Sequence, residues 1–235
     1  MVEGPQMSER ERIMGRIREA LRSPAALPGH HGGIAPAFPG PDRQAFSQWL
    51  PLVGKKKEAV VAAFAKASAE LKTDFRTPKD QRTLIDELKK IAAAEGWKKV
   101  ASHRGKETEA VCKKLGLPVL WTDGGYDVHE LEKCDAGITA CDALVAQTGT
   151  VLLTSRSAGG RALSVLPEHH VVLSDASQML RDLPAAFKLL KKKYDGDYPS
   201  AINLITGPSR TGDIERILVL GAHGPKRLTV FCEGA

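Results

Sequence analysis

The sequence predicts a three-layer α/β fold in which a central, mostly parallel sheet is covered by helices on both faces. After residue 96, short apolar runs alternate with amphipathic stretches, which is the order of strand–helix–strand units. The apolar runs are nearly continuous instead of alternating with polar residues, as is typical of strands buried on both faces. The chain has 235 residues, enough to bury a full core.

The N-terminal part of the chain differs from the rest and is expected to form a helical extension. Residues 8–22 place their apolar side chains on one helical face. Residues 23–43 are rich in proline and glycine and cannot hold a regular element. The sequence therefore predicts a helix and a Pro/Gly-rich arm over 1–50 and an α/β domain over 51–235.

Helices and strands follow in order through the predicted domain. Apolar stripes at helical spacing predict helices over 57–72 and 79–95, and Gly96 ends the second. The pattern then predicts strands at 100–102, 117–121, 136–140, 150–155, 170–174, 201–206 and 228–232, and helices at 105–116 and 177–193. His169 and His170 enter one of these strands, so we expect them to point to opposite faces of the sheet.

Composition and charge are those of an ordinary globular protein. Hydrophobic residues make up 42% of the chain, and no run approaches the ~18 apolar residues of a membrane span. The charged N-terminus lacks the apolar core of a secretory signal, so a cytoplasmic protein is expected. The net charge of +6 is spread thinly and aromatic residues are only 5%, which argues against nucleic-acid binding.

The sequence predicts no metal and no cofactor. Its four cysteines form no CxxC pair, which argues against a zinc site or an iron–sulfur cluster in this chain. His30 and His31 are adjacent in the Pro/Gly-rich arm and lack the separation and rigidity of a ligand set. Neither the G-x-x-x-x-G-K-[ST] phosphate loop nor the G-x-G-x-x-G dinucleotide fingerprint is present.

Three polar bends adjoin predicted strands, and ligands of open parallel sheets bind outside the carboxyl ends of the strands. The first bend is Thr148-Gly149-Thr150. Its glycine lets a backbone approach a ligand, and its hydroxyls can donate to an anion. A tight turn in which the threonines satisfy local backbone groups is the structural alternative.

The second bend contains Gly159, Gly160 and Arg161. A planar guanidinium can hold a carboxylate or phosphate in two places, which makes Arg161 the candidate clamp for an anionic ligand. The same glycines also suit a plain connecting loop.

The third bend lies between the last two predicted strands and is the densest in polar residues. Thr211 fits a helix N-cap, and Asp213 would lie in the first helical turn, where an acid complements the helix dipole. Ser209 and Arg210, just before the cap, are candidate ligand contacts. Asp213 and His223 are the candidate catalytic or orienting groups.

Together the bends predict a small-carboxylate pocket at the carboxyl edge of the sheet. The expected binding residues are Thr148, Gly149, Thr150, Arg161, Ser209, Arg210 and Thr211. In the structural alternative, Arg210 ties Asp213 and His223 into a network that holds strand ends together. Substitution of these residues should weaken ligand binding if they form the pocket. It should lower stability without changing ligand affinity if they only hold the strand ends together.

Three strings are long enough to compare with known families: DALVAQTGTVLL (142–153), GGRALSVLPEHHVVL (159–173) and TGPSRTGDIERILVLGAHGPKRLTVF (206–231). In order and spacing they resemble the LUD-domain proteins of the lactate utilization protein C family. The resemblance implies a fold similar to the sugar-phosphate isomerase and CoA-transferase group. It also implies a part in the oxidation of L-lactate to pyruvate, together with two partner proteins that carry iron–sulfur clusters.

One position departs from this resemblance. Family members often carry glutamate where this chain has Gln147, and glutamine is neither a carboxylate nucleophile nor a general base.

Two functions stay open: a non-redox subunit that binds a small carboxylate, or a transferase or ligase acting on a CoA-linked, folate or phosphorylated substrate. The missing phosphate and dinucleotide motifs favour the non-redox subunit.

Overall fold

The computed structural model describes residues 9–22, 50–211 and 219–235 and divides the chain into two units, Met1–Leu50 and Pro51–Ala235. In the first unit, helix α1 (Glu9–Arg22) begins with acidic residues and ends with an arginine, which complements the helix dipole. The predicted Pro/Gly-rich arm with its two histidines lies outside the described residues.

The second unit alternates helices and strands. Its described elements follow in the order α2 (Lys57–Leu71), β1 (Asp74–Arg76), α3 (Gln81–Glu95), β2 (Val100–Ser102), α4 (Lys106–Leu115), β3 (Val119–Trp121), α5 (Val128–Glu132), β4 (Ala136–Ala140), β5 (Ala143–Val145), β6 (Thr150–Thr154), β7 (His169–Asp175), β8 (Met179–Leu180), α6 (Leu183–Tyr194), β9 (Ile202–Ile205), β10 (Arg210–Thr211), β11 (Val219–Leu220) and β12 (Arg227–Glu233). None of the described helices is long and apolar enough to cross a membrane.

The central sheet has six strands in the order β1-β12-β7-β4-β2-β3, and every neighbouring pair is parallel. Its register aligns Val171 of β7 with Ile138 of β4 on one side and Thr229 of β12 on the other. Helices α3, α4 and α5 connect β1 to β2, β2 to β3 and β3 to β4, whereas β5 and β6 lie in the crossover from β4 to β7. The predicted α/β fold with a mostly parallel central sheet is confirmed.

Alternate residues of the parallel strands pack against different layers. Val171 and Leu173 face α3 and α4, in a core that also contains Leu88. Val172 faces the opposite way, toward α2 and a second sheet, in a core that contains Phe64. Burial on both faces explains the nearly continuous apolar runs of these strands.

The second sheet is smaller and was not anticipated from the sequence. Its order is β8-β5-β6-β9, and β6 runs antiparallel to both β5 and β9. The single helix predicted over 177–193 is wrong in its first part, because a short 3-10 turn and β8 precede α6. Asp182 caps α6 by accepting from the backbone N–H of Ala185, and a proline follows in the first turn, so the helix begins there.

The ends of helices α2 and α3 show where each helix lies relative to the parallel strands. Asp80 caps α3 by accepting from the Thr83 N–H at 2.8 Å, and Gly96 ends it in the left-handed region at φ 68°. The C-terminus of α2 leads through Lys72 and Thr73 directly into β1. That helix end therefore lies at the amino ends of the parallel strands.

Candidate functional site

A cavity of about 210 Å³ lies at the amino ends of β7 and β12. Its polar lining residues are Ser164, His170, Thr206, Ser209 and His223. Its apolar walls include Val165, Ile205 and Leu228. The volume is below the ~300–1,000 Å³ typical of pockets for drug-sized ligands, so the cavity suits a small molecule.

Two loops build the outer wall of the cavity. The loop after β9 and the loop before β12 are tied by backbone hydrogen bonds, from Ser209 N–H to Pro225 O at 2.9 Å and from Gly221 N–H to Ser209 O at 3.0 Å. The antiparallel pair β10–β11 continues this contact. A Cβ at Gly224 would lie 3.3 Å from the Ser209 Cβ, so a larger residue there would require the two loops to separate by a few tenths of an ångström.

His170, the second residue of β7, lies on the inner wall. Its Nε2 is 2.9 Å from the Thr139 hydroxyl, and within the described chain its buried Nδ1 has no hydrogen-bond partner. Burial, with a smaller contribution from the neighbouring His169, lowers the pKa of His170 to about 3. The imidazole is therefore neutral at any physiological pH.

Ser164 supplies a second buried polar atom to the same cavity. Its Oγ is also without a partner in the part of the chain that the structure describes. More than nine in ten buried polar groups of native proteins are paired, so two exceptions in one cavity are unusual. Both atoms are buried, so a ligand that enters the cavity reaches them only after the lining side chains shift.

The predicted residues of the third bend divide between cavity and scaffold. Ser209 and His223 line the cavity, Ser209 half-buried and His223 exposed. Arg210 instead donates from Nη2 to the Leu71 carbonyl at 3.0 Å, which satisfies a carbonyl at the C-terminus of α2. Thr211 pairs with Val219 in the β10–β11 ribbon.

The helix predicted after Thr211, and Asp213 within it, lie outside the described residues. The structural network expected between Arg210, Asp213 and His223 stays a prediction, and the bond from Arg210 to α2 gives that arginine a scaffold role.

The first bend lies beside the cavity. Thr148 Oγ1 and Thr150 Oγ1 are 2.7 Å apart, and Thr150 Oγ1 is 2.8 Å from the hydroxyl of Thr206, which lines the cavity. Gly149 adopts φ 62° against α2, where a Cβ would lie 2.9 Å from Leu71 Cδ1. Among the described residues, the two threonines bond other hydroxyls and not the local backbone groups of the structural alternative.

Arg161 lies at the opposite end of the sheet. Thr122, which follows β3, donates to the Gly159 carbonyl at 2.9 Å, and a Cβ at Gly159 would clash with His103, which follows β2. The Gly159–Arg161 bend is therefore held against the carboxyl ends of these strands, and Arg161 is exposed there. The chain then crosses the sheet face to reach β7.

The structure does not bring Arg161 together with the other residues predicted for a pocket at the carboxyl edge. The carboxyl-end rule concerns strands of a parallel sheet, whereas the first and third bends adjoin β6 and β9 of the antiparallel second sheet. β9 runs toward the amino ends of the parallel strands and delivers the third bend there. The structure brings Ser209 and His223 together in one cavity, places Thr150 beside the Thr206 of that cavity, and separates them from Arg161. Thr148 lines a separate cavity against α2.

A second polar network, which the sequence did not signal, lies on the other face of β7. His169 Nδ1 is 2.9 Å from Glu95 Oε2, and its Nε2 is 2.8 Å from Thr229 Oγ1. Arg227 forms an ion pair with Glu95, and the Trp97 indole donates to the same carboxylate at 3.0 Å. The network joins α3, β7 and β12.

The pKa shifts of His169 and Glu95 indicate the charge that each side chain carries in this network. Burial lowers the pKa of His169, against the opposing influence of Glu95. Burial alone would raise the pKa of Glu95, but hydrogen bonds from His169, Trp97 and Arg227 outweigh it and lower that pKa. Glu95 is therefore ionised and His169 neutral, with its Nδ1–H donating to the carboxylate.

Acidic side chains lie at the carboxyl ends of the parallel strands. Burial and the nearby carboxylates of Asp175 and Glu233 raise the pKa of Glu107. Among the described residues, no group of three or more His, Cys, Asp or Glu side chains could hold a metal ion. The four cysteines are buried thiols, and burial raises the pKa of each of them.

Comparisons with a family model and with known proteins indicate the same family. A family model described as the LUD domain matches residues 99–231. The lactate utilization protein C of Geobacillus kaustophilus is 27% identical over 219 residues, covering 84% of this chain and 89% of that protein. The lactate utilization protein C of Anoxybacillus flavithermus is 37% identical over 152 residues, covering 62% and 68%.

A solved structure supports the fold. A DUF162 family protein from Deinococcus radiodurans superposes with a TM-score of 0.62 at 22% identity, covering 78% of this chain and 100% of that one. At this identity the likeness bears on the fold alone.

Proposed function

The chain belongs to the LUD domain family and, within it, to the lactate utilization protein C proteins, and from this premise we propose that it is a non-redox subunit of a lactate-oxidising system. In this role it binds a small carboxylate at the amino-end cavity. Partner proteins carrying iron–sulfur clusters transfer the electrons, because no redox cofactor motif is present in this sequence. The proposed location is the cytoplasm.

One observation carries the carboxylate assignment: Ser164 and His170, which line the same small cavity, each have a buried polar atom without a partner among the described residues. His170 Nδ1 and Ser164 Oγ can both offer hydrogen atoms to an acceptor, and Ser209 adds a third hydroxyl. A carboxylate is stabilised by two or three such donors even without a cation beside it.

The test is ligand binding by the purified chain. Calorimetric titration with L-lactate and pyruvate should give saturable binding, and either ligand at a hundredfold excess over its Kd should stabilise the fold by about 2.7 kcal/mol. Coenzyme A esters, folates and nucleotides serve as comparison ligands. Turnover of one of these by the chain alone would contradict the assignment as a binding subunit and favour a transferase or ligase.

The partner proteins need a separate experiment. A tagged chain expressed in cells grown on lactate should co-purify with proteins that show the visible absorbance of iron–sulfur clusters. A Ser164→Ala variant is the matched control, because it changes the cavity and leaves the surface intact. Recovery of no cluster-containing protein under cross-linking would reject the subunit assignment while leaving carboxylate binding to the titration.

A further inference from the structure

Thr139 and His170 can share a hydrogen bond in two arrangements, and one of them leaves fewer buried polar groups unpaired. Thr139 is fully buried on β4, and in the described part of the chain its hydroxyl contacts only His170 Nε2. If Nε2 carried the proton, the Thr139 hydrogen would have no acceptor and His170 Nδ1 no donor. If Thr139 donates to Nε2, one group alone stays unpaired, the Nδ1–H. Because unpaired buried polar groups cost ~1–3 kcal/mol each, the second arrangement is favoured.

The proton on Nδ1 determines what the inner wall can bind. An imidazole N–H donates and cannot accept, so this atom requires an acceptor on the ligand. The hydroxyl of Ser164 can donate alongside it. Both lie within the folded core, since His170 and Ser164 are each at most 2% exposed. An anionic oxygen satisfies such donors better than a neutral one, because charge-assisted hydrogen bonds are about twice as strong.

The rest of the cavity limits the ligand to one charged group. Val165, Ile205 and Leu228 form apolar walls, and no lysine or arginine is among the described residues that line it. A second carboxylate or a phosphate would be desolvated against these walls without a partner. A short apolar substituent, in contrast, fits them.

We propose that the cavity is selective for short-chain monocarboxylates, and that Thr139 is the positioning residue that sets this selectivity by holding His170 as an Nδ1–H donor. The inference rests on the proposed carboxylate-binding function and names its ligand class. Thr139 acts through His170, while His170 and Ser164 contact the ligand.

The tautomer can be measured without any ligand. In a ¹⁵N NMR spectrum of the full chain that correlates ring nitrogens with ring carbon protons, His170 Nδ1 should have the shift of a protonated nitrogen and Nε2 that of an unprotonated one. Thr139→Val should remove this preference. Thr139→Ser keeps the hydroxyl and is the matched control, in which the preference should stay.

Binding supplies the second measurement. Propionate, L-lactate and pyruvate should bind the wild type, whereas lactamide and malonate should bind at least roughly tenfold more weakly, the least expected when one charged hydrogen bond is lost or one charge is left unpaired. Thr139→Val should weaken monocarboxylate binding by a similar factor, and Thr139→Ser should not. Circular dichroism confirms that each variant is folded.

The outcomes separate the inference from the proposed function. Binding of monocarboxylates with His170 protonated on Nε2, or with equal affinity for malonate, overturns the inference and leaves carboxylate binding intact. Absence of binding by all three monocarboxylates at millimolar concentration overturns the proposed function, whatever the tautomer. An Nδ1–H tautomer together with a Thr139→Val binding defect that Thr139→Ser lacks supports the inference.

Discussion

His169 and His170 are neighbours in β7 and face opposite sides of the parallel sheet. His169 bonds Glu95 and Thr229 beneath α3, whereas His170 bonds Thr139 and lines the amino-end cavity. The two-residue period of a strand requires this separation. One dipeptide therefore supplies a scaffold group to one face and a candidate ligand group to the other, and both imidazoles are neutral.

Acid should destabilise the protein through its buried histidines. Burial lowers the pKa of His103, of His169 and of His170, the last from 6.5 to about 3. The unfolded chain thus binds protons that the folded chain does not, so stability is complete above about pH 6.5 and falls as pH decreases toward 3. His170 alone should contribute a loss of about 1.4 kcal/mol per pH unit in this window.

Urea unfolding at several pH values measures this slope. His170→Gln should make it shallower by about 1.4 kcal/mol per pH unit, even if the variant is less stable overall. His129→Gln is the control, because it removes a histidine that is 84% exposed on α5 and leaves the buried histidines in place. Equal slopes for wild type and His170→Gln would show that His170 is protonated in the folded state.

The Glu95 network should stabilise the contact of α3 with the sheet. Glu95→Gln keeps the shape but removes the charge that His169, Trp97 and Arg227 all contact. We expect a loss of about 1–3 kcal/mol in the free energy of unfolding, since hydrogen bonds to a charged group are exchanged for neutral ones. Glu58→Gln, at an exposed position in α2, should change it by less than about 0.5 kcal/mol.

Local sequence patterns predicted most of the fold, and the failures have physical reasons. The nearly continuous apolar runs predicted the parallel strands because both faces of those strands are buried. The helix over 177–193 was predicted too long because Met179 and Leu180 fit a helical stripe while pairing with β5. Asp182 and Pro184 carried the start signal that the helical pattern obscured.

The candidate site was predictable only in part. Polar density in the third bend indicated Ser209 and His223, and strand periodicity separated His169 from His170. Ser164 gave no signal, because a serine within an apolar stretch is informative only once its burial and missing partner are known. Which bends share one end of the sheet depends on strand direction, which a single sequence does not specify.

The turn at Gly149 should be intolerant of any side chain. Gly149→Ala would place an alanine at φ 62° with its Cβ 2.9 Å from Leu71 Cδ1, adding a backbone penalty to a steric clash. We expect a loss of roughly 2–5 kcal/mol in the free energy of unfolding. Gly196→Ala separates the two contributions, because Gly196 has φ 92° and open space around its Cβ position.

The Gly196→Ala control should lose only the backbone contribution of roughly 1–2 kcal/mol. Equal losses for the two variants in urea unfolding would show that the approach of Gly149 to α2 is looser than its geometry indicates.

Arg161→Ala should leave carboxylate affinity unchanged. Arg161 is exposed at the carboxyl ends of β2 and β3, across the sheet from the cavity. Ser209→Ala, in contrast, removes a hydroxyl from the cavity lining and should weaken binding of L-lactate by about 1–2 kcal/mol, typical of one lost hydrogen bond. A titration in which Arg161→Ala is the weaker binder would restore the arginine clamp and place the site at the carboxyl ends.

The ion pair between Lys193 and Asp142 should stabilise the second sheet because one partner is fully buried. The Asp142 side chain has no exposed surface, contacts Lys193 of α6 and accepts from Ser157 Oγ at 2.5 Å, whereas the Lys193 side chain is 45% exposed. Lys193→Met leaves a buried carboxylate without its cation and should cost about 3 kcal/mol, the lower end for a broken buried pair, since Ser157 still donates.

A double-mutant cycle tests the asymmetry of this pair. Asp142→Asn should cost less, because the half-exposed ammonium can turn toward water, and the double variant Asp142→Asn/Lys193→Met should be more stable than Lys193→Met alone. The coupling energy from urea unfolding should reach at least about 1 kcal/mol. Additive losses, with no recovery in the double variant, would mean that Asp142 is held by Ser157 and its surroundings and that the lysine contributes through packing of its aliphatic chain.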